Sequence, residues 1–285
     1  MPAPRRRLDE RYTEEQARAY ARHRPLPEAI GERIASEAGI EAETSVLDLA
    51  TGTGALALQL ARRSRRVVGV DRAPAMLEAA HVRATELGLP LVLRAACATA
   101  ATERGERYAV VTVSEAFHRL GGLPAARAVY RALCPEGFFF VVLGKRRYPE
   151  AHPLRALAPR LKGEAAALFE GLDRHLDWLT RTFAASAPAG EEPLAPVESW
   201  LYAWRRPLDL GFLRAFFDDA SLARLVGASP PWPLVERALA AASPEDLLGE
   251  ELFALWRFER CGAGREPLRR TTREALEVPF VEPST

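Results

Sequence analysis

The 285-residue chain predicts an α/β protein: one doubly wound, mostly parallel sheet of seven strands, its last strand antiparallel, with a helical lid inserted. Three observations lead there. Between residues 45 and 145 short apolar runs alternate with segments of helical period, the spacing of crossover units, which gives a parallel sheet with helices on both faces. The first apolar run ends in a glycine-rich turn, "DLATGTG". After Lys145 the rhythm changes to a long Ala-, Leu- and Arg-rich helical stretch before two further strand-like runs appear.

The elements follow in order. Residues 13–38 read as two short helices meeting at a bend, "RPLP" at 24–27, because each proline disfavours helical geometry in the residue before it. "SVLDLA", "RVVGVD", "PLVLRAA", "YAVVTVS" and "FFFVVLG" are the five expected strands. Between them "GALALQLARR" and "APAMLEAAHVRATELG" are helices, the second with Pro74 in its first turn. "LPAARAVYRALCPEG" is a third, expected to stop at Pro135 and Gly137. Residues 151–185 are helical, "SAPAGEEPLAP" is a loop, "ESWLYAWRR" and "ELFALWRFERC" are the late strands, and "DLGFLRAFFDDASLARLVG", "PWPLVERALAAA" and "PEDLLGE" are helices. The expected organisation is a ligand-binding core with an N-terminal helical segment at 1–145, a helical insertion at 146–196, completion of the sheet at 197–262, and a polar tail at 263–285 that is pinned only in part.

Composition narrows the function. Lys and Arg number 39 against 38 Asp and Glu, so a net charge of +1 provides no global field for nucleic acid or an anionic membrane. Arg5–Arg7 read as a solvated tail. Cys97, Cys134 and Cys261 lie far apart, without metal-site pairs or a disulfide framework, and "MPAPRRRLDE" is followed by no apolar segment. The expectation is a cytoplasmic protein, monomer or homodimer, acting on a small molecule. His23, His81, His118, His152 and His175 show no metal-ligand spacing, so no metal is expected.

Gly52, Gly54 and Ala57 satisfy G-x-G-x-x-G/A, and Asp71 stands where a ribose-binding acid would, so a nicotinamide dinucleotide fits the spacing. Asp48 fits it poorly. It lies inside the strand, where a buried carboxylate costs several kcal/mol unless paired or hydrogen-bonded. A cationic amino-acid ligand would offset that cost.

At this point the sequence resembles the class I S-adenosylmethionine-dependent methyltransferases, small-molecule branch. The acid-x-G-x-G-x-G turn stands here as Asp48-Leu49-Ala50-Thr51-Gly52-Thr53-Gly54, with Ala50 for the first glycine. "YARHRPLPEAI" (20–30), "VDRAPAMLEAA" (70–80), "SEAFHRL" (114–120) and "YRALCPEGFFFVV" (130–142) resemble further segments of that family, in order and together covering about residues 12–145. The resemblance implies a Rossmann-like fold, S-adenosylmethionine as cofactor, S-adenosylhomocysteine as product, and methyl transfer to a small-molecule acceptor. It also implies the roles of the residues. Ala50, Thr51, Gly52 and Gly54 form the turn against the methionine part, Asp48 helps hold its amino end, and Asp71 accepts from both ribose hydroxyls. Arg72 and Met76 wall the adenine, Ala96 and Cys97 meet it in place of the usual acid, Ser114 ends the fourth strand beside the cofactor, and Tyr20 and Arg24 close over it. The family's acids after strand three and at the start of strand four are absent, Ala109 holding the latter position, and Glu136 replaces a glycine.

His118 and Glu115 are the candidate catalytic residues, by position alone: they follow strand four at the carboxyl edge, where open α/β sheets place ligands. A ring packed beneath the loop and a surface acid are the competing readings. Trp200, Tyr202 and Trp204 alternate and so share one face, expected to pack against the inserted helices. A non-catalytic cofactor-binding module, an RNA methyltransferase and a nicotinamide oxidoreductase remain the rival functions.

Overall fold

The computed structural model describes residues 12–102, 105–158, 165–217, 219–260 and 276–278. The expectations for Arg5–Arg7, for Cys261 and for most of the tail fall outside them. Two N-terminal helices, α1 (Glu14–His23) and α2 (Glu28–Glu37), meet at the expected bend, and a Thr13–Gln16 capping box starts the first. Strands β1 (Ser45–Leu49), β2 (Arg66–Asp71), β3 (Leu91–Ala95), β4 (Tyr108–Ser114) and β5 (Leu133–Arg147) follow. They alternate with α3 (Ala55–Ala61), α4 (Pro74–Glu86), the single turn α5 (Ala98–Ala101) and α6 (Leu123–Ala132). Then come α7 (Pro153–Leu157), α8 (Ala165–Ser186), β6 (Leu194–Pro207), α9 (Leu210–Phe216), α10 (Asp219–Val226), α11 (Trp232–Ala240), β7 (Leu248–Arg260) and β8 (Leu276–Val278).

The sheet order is β3-β2-β1-β4-β5-β7-β6-β8. The first five strands are parallel, and β7 lies antiparallel between β5 and β6. Seven strands are the expected ones; the eighth comes from the tail, where Leu276–Val278 pairs with Tyr202–Trp204. Three boundaries differ from the sequence reading. Helix α6 stops at Ala132 because Leu133 turns extended and pairs with Tyr108, and "CPEG" becomes a bulged lead into β5. Gly137 is required there, since a side chain would meet the Ala109 carbonyl at 2.8 Å. The expected helix over 209–227 is two helices, broken where Phe217 adopts extended geometry. "PEDLLGE" is a 3-10 turn at Glu245–Leu247 that leads straight into β7.

Alternation along the strands gives the sheet two cores. One face buries Leu47, Val111, Phe139, Val141, Trp256 and Phe258, and α8 covers it with Leu172, Leu179 and Phe183. The other face buries Val46, Val110, Phe140, Val142, Phe253 and Leu255 under α2 and α3. Each such side chain contributes about 1.5–3 kcal/mol on burial. Tyr202 and Trp204 belong to this second face, with Trp200 packed at its margin. They therefore pack beneath the N-terminal helices and not, as expected, against the insertion's long helix α8, which lies on the opposite face. Helix α1 rests on α4 through Ala17, Tyr20 and Met76. It also touches α9 where Gly211 leaves room for His23, with whose ring a side chain at that position would collide.

Candidate active site

An open cleft of about 550 Å³, part of it continuous with solvent, lies at the carboxyl ends of β1, β4 and β5. The turn after β1 forms its floor, and the backbone there is unusual. Ala50, Gly52 and Gly54 all adopt the left-handed region, at φ +57°, +55° and +76°. A glycine suits that geometry without a steric cost, whereas Ala50 bears roughly 1–2 kcal/mol. At Gly52 a side chain would meet nothing within 4 Å, so φ and not crowding demands the glycine, and the space beyond is cleft.

Asp48 shares its strand face with Val46 and is 1% exposed. Its carboxylate accepts from the hydroxyls of Thr51 at 2.6 Å and Thr112 at 2.7 Å. Burial raises its pKa from 3.8 to about 6, against the lowering effect of the two threonines. Among the described residues no cation pairs with it. Asp71, at the end of β2, accepts from the Gly52 amide at 2.9 Å and from the Ala73 amide at 2.9 Å, so it braces the glycine turn and starts α4 at once. Burial pushes its pKa up as well.

Opposite the turn, Tyr20, Arg24, Pro25 and Leu26 bring the N-terminal bend over the cleft. Arg24 donates to the Tyr20 hydroxyl at 2.9 Å and to Glu115 at 3.2 Å. Glu115, at φ +57°, also accepts from Arg146 at 3.2 Å and from the Gly144 amide. Arg146 pairs in turn with Glu251, and Glu251 with Arg206. A ladder of alternating charges thus ties the N-terminal bend to β4, β5, β7 and β6.

Of the residues singled out in the sequence, Tyr20, Arg24, Asp48, Ala50, Thr51, Gly52, Ser114 and Glu115 line the cleft. Gly54, Asp71, Arg72, Met76, Ala96 and Cys97 do not. Gly54 opens α3, Met76 is buried between α1 and α4, and the Ala96 amide donates to the Asp71 carbonyl. Cys97 precedes α5, its Sγ 3.3 Å from the Thr99 hydroxyl, and Arg72 is exposed beside Asp71. His118 is exposed on a 3-10 turn, Phe117–Arg119, with its ring 6.0 Å from that of His175 and outside the cleft lining. Among the described residues, the insertion supplies only Arg146 to the lining. Sequence reasoning missed Thr112, Arg146, Glu251 and Phe253. A charge bordering an apolar strand run, as Glu251 borders "LFALW", is the same signal that drew attention to Asp48.

Residues 46–137 match the family model described as "Methyltransferase domain". Over 97 residues the chain is 36% identical to the ubiquinone biosynthesis O-methyltransferase of Methylobacterium nodulans, covering 34% of this chain and 39% of that one. Over 105 residues it is 37% identical to the demethylmenaquinone methyltransferase of Thermus thermophilus, covering 36% and 48%. The chain therefore spans less than half the length of these curated relatives. A Bacillus halodurans protein solved as a methyltransferase candidate shares the fold at a TM-score of 0.53 and 15% identity, over 81% of this chain and 99% of that one. Residues 46–137, within a doubly wound, Rossmann-like fold, thus resemble a methyltransferase domain.

Proposed function

We propose that the protein transfers a methyl group from S-adenosylmethionine to a small-molecule acceptor in the cleft. The observation that carries this reading is Asp48: a carboxylate ionised near neutral pH, buried, facing the cleft, and without a cationic partner among the described residues. Such a group is costly unless a ligand supplies the missing cation, and the ammonium of an amino-acid cofactor does so. A nicotinamide dinucleotide has no ammonium to offer.

When bound, the cofactor supplies a methyl group on a sulfonium sulfur, open to in-line displacement. Asp48, oriented by Thr51 and Thr112, holds the ammonium. The backbone of Ala50–Gly52 would hold the methionine part, and Asp71, which braces that turn through the Gly52 and Ala73 amides, would hold the ribose hydroxyls. Met76, packed against α1, would support α4 from behind rather than touch the adenine. Tyr20 and Arg24 cover the site and exclude water, which is the main demand of a reaction that depends on alignment. Glu115 acts as a positioning residue: with two guanidinium groups and an amide on its carboxylate, it sets the arginines in place rather than moving a proton. His118, turned toward His175, carries no step in this reading.

No helix among the described residues is long and apolar enough to cross a membrane. The free thiols of Cys97 and Cys134 suit a reducing compartment, and we place the protein in the cytoplasm, as a monomer or homodimer with no nucleic-acid partner. Native mass spectrometry of the purified protein tests the central reading, together with thermal shifts. S-adenosylhomocysteine should raise the melting temperature and NADH should not; a shift with NADH alone overturns it.

A further inference from the structure

The turn after β1 has two ends of different character. At the first, Asp48 is a buried carboxylate held by two hydroxyls, with no cation beside it among the described residues. At the other stands Thr53, which lines the cleft and is 1% exposed. Its hydroxyl is buried and has no hydrogen-bond partner. Other hydroxyls of the lining are engaged: that of Thr51 donates to Asp48, and that of Tyr20 accepts from Arg24. A buried polar group left unmatched costs free energy, and valine would fill nearly the same volume without that cost. Fold stability therefore does not account for the Thr53 hydroxyl.

The charge at the two ends is opposite in sign. Arg83, on α4, donates through Nη1 to the Thr53 carbonyl at 2.9 Å. Among the described residues no carboxylate stands within ion-pair distance of its guanidinium; Glu86, later in the same helix, is exposed and acts on it only from farther away. Burial works against the Arg83 charge and lowers its pKa, as burial works against the Asp48 charge and raises its own. An uncompensated anion thus stands at one end of the turn, and a free hydroxyl backed by an uncompensated cation at the other. An α-amino acid carries an ammonium and a carboxylate on a single carbon, so both of its charges meet their complement on this one turn.

We propose that Thr53 reads, through its hydroxyl, the carboxylate of the cofactor's amino-acid group while Asp48 holds the ammonium, and that Arg83 is the positioning residue that fixes Thr53 and sets a positive charge behind it. The cleft is then selective for a zwitterionic tail and not for a cation alone. This inference rests on the methyl-transfer reading and assigns two further residues to it.

The test is calorimetry with two ligands: S-adenosylhomocysteine, and the adenosyl thioether that keeps its amine and lacks its carboxylate. Wild-type protein should bind the first about tenfold or more tightly than the second, the worth of a hydrogen bond to a charged group. Thr53→Val should weaken S-adenosylhomocysteine about fivefold or more and leave the carboxylate-free ligand within about twofold. It should not lower the melting temperature, because the hydroxyl it removes has no partner to lose. Thr53→Ser keeps the hydroxyl and should keep the preference. Arg83→Met should narrow the preference, and Arg83→Lys, which retains the charge, should restore most of it. The ratio of the two affinities carries the test, since a turn merely loosened by substitution loses both ligands in proportion. Full S-adenosylhomocysteine affinity in Thr53→Val, equal loss of both ligands, or a wild-type protein without preference overturns the inference and leaves methyl transfer standing. Failure of the wild-type protein to bind S-adenosylhomocysteine at all overturns the methyl-transfer reading, and this inference with it.

Discussion

Replacing Asp48 by asparagine should make the ligand-free protein less sensitive to pH and the ligand complex much weaker. Asp48 has its pKa raised on folding from 3.8 to about 6, chiefly by burial, so the native state holds the proton more tightly than the unfolded chain. A raised carboxylate contributes stability that is fully present below the unfolded pKa and is lost as pH rises through the folded one. The full loss is about 3 kcal/mol, at roughly 1.36 kcal/mol per unit. Between pH 5 and pH 8 the part that remains to be lost is about 1.4 kcal/mol. Asparagine does not titrate. Its oxygen can accept from one threonine hydroxyl and its amide can donate to the other, so both Thr51 and Thr112 keep a partner. Urea denaturation of ligand-free wild-type and Asp48→Asn protein at the two pH values should show the wild type losing about 1.4 kcal/mol relative to the variant. The ligand reverses the order. Calorimetry at pH 8 should show S-adenosylhomocysteine binding weakened by about 1.5–3 kcal/mol in Asp48→Asn, the worth of a hydrogen bond to a charged group. In the wild type, affinity should rise as pH increases through about 6, because the ammonium selects the ionised carboxylate. Equal pH slopes in the two proteins, or unchanged affinity in the variant, would refute the reasoning.

Three further substitutions probe the frame of the cleft. Ala50→Gly relieves a left-handed alanine at φ +57° and should stabilise by about 0.5–1 kcal/mol after the extra freedom of the unfolded glycine is subtracted. Ala50→Val should destabilise by more than about 1 kcal/mol, and thermal denaturation of the pair checks both signs. Asp71→Ala leaves the Gly52 and Ala73 amides without their carboxylate, so it should lower stability by about 1–3 kcal/mol as well as weaken cofactor binding. An unchanged melting temperature would show that the carboxylate does not brace the turn. Glu115→Gln leaves Arg24 and Arg146 facing each other without the charge between them and should cost about 2–3 kcal/mol in urea denaturation. A loss under about 0.5 kcal/mol would mean that the ladder does not hold the N-terminal bend.

The parallel core was legible because its signals are local. "SVLDL" and "RVVGV" carry their own apolar runs, and Gly52 and Gly54 mark a turn whose φ values only a few residue types tolerate. The errors lie where a distant partner decides. Nothing local in "CPEG" says that Leu133 will pair with Tyr108 and end α6 a turn early. "LEV" at 276–278 is too short to announce itself and becomes a strand only because β6 offers an open edge. The face on which Trp204 packs follows from the position of β7 between β5 and β6, which alternation along one strand cannot reveal. The site divides in the same way. Asp48 and the turn lie within seven residues of one another and were found together. Arg146 and Glu251 are about a hundred positions apart in the sequence and meet only through the antiparallel register of β5 and β7.

That division has a mechanical consequence. Ala50 and Glu115 are the two non-glycine residues held at positive φ among the described residues, and they stand just past the ends of adjacent strands, β1 and β4. Strain of this kind, of order 1–3 kcal/mol each, persists only where the surroundings hold it in place. At Ala50 the holding contacts are local: the Thr51 amide donates to Val70, and Gly52 to Asp71. At Glu115 they are remote, from Arg24, Gly144 and Arg146. In the proposed reading, the half of the cleft that would hold the cofactor is set by the turn's own sequence, and the half left for the acceptor by a carboxylate that needs the N-terminal bend in place. Arg24 belongs to both halves, since it covers the cleft and neutralises Glu115, so loss of the Arg24–Glu115 contact should open the cover and release the acceptor-side strain together. Arg24→Met keeps much of the side-chain volume without the charge, and it should raise KM for the acceptor more than it weakens S-adenosylhomocysteine binding. If the two change in equal proportion, Arg24 serves the cofactor alone and the coupling between the halves is absent.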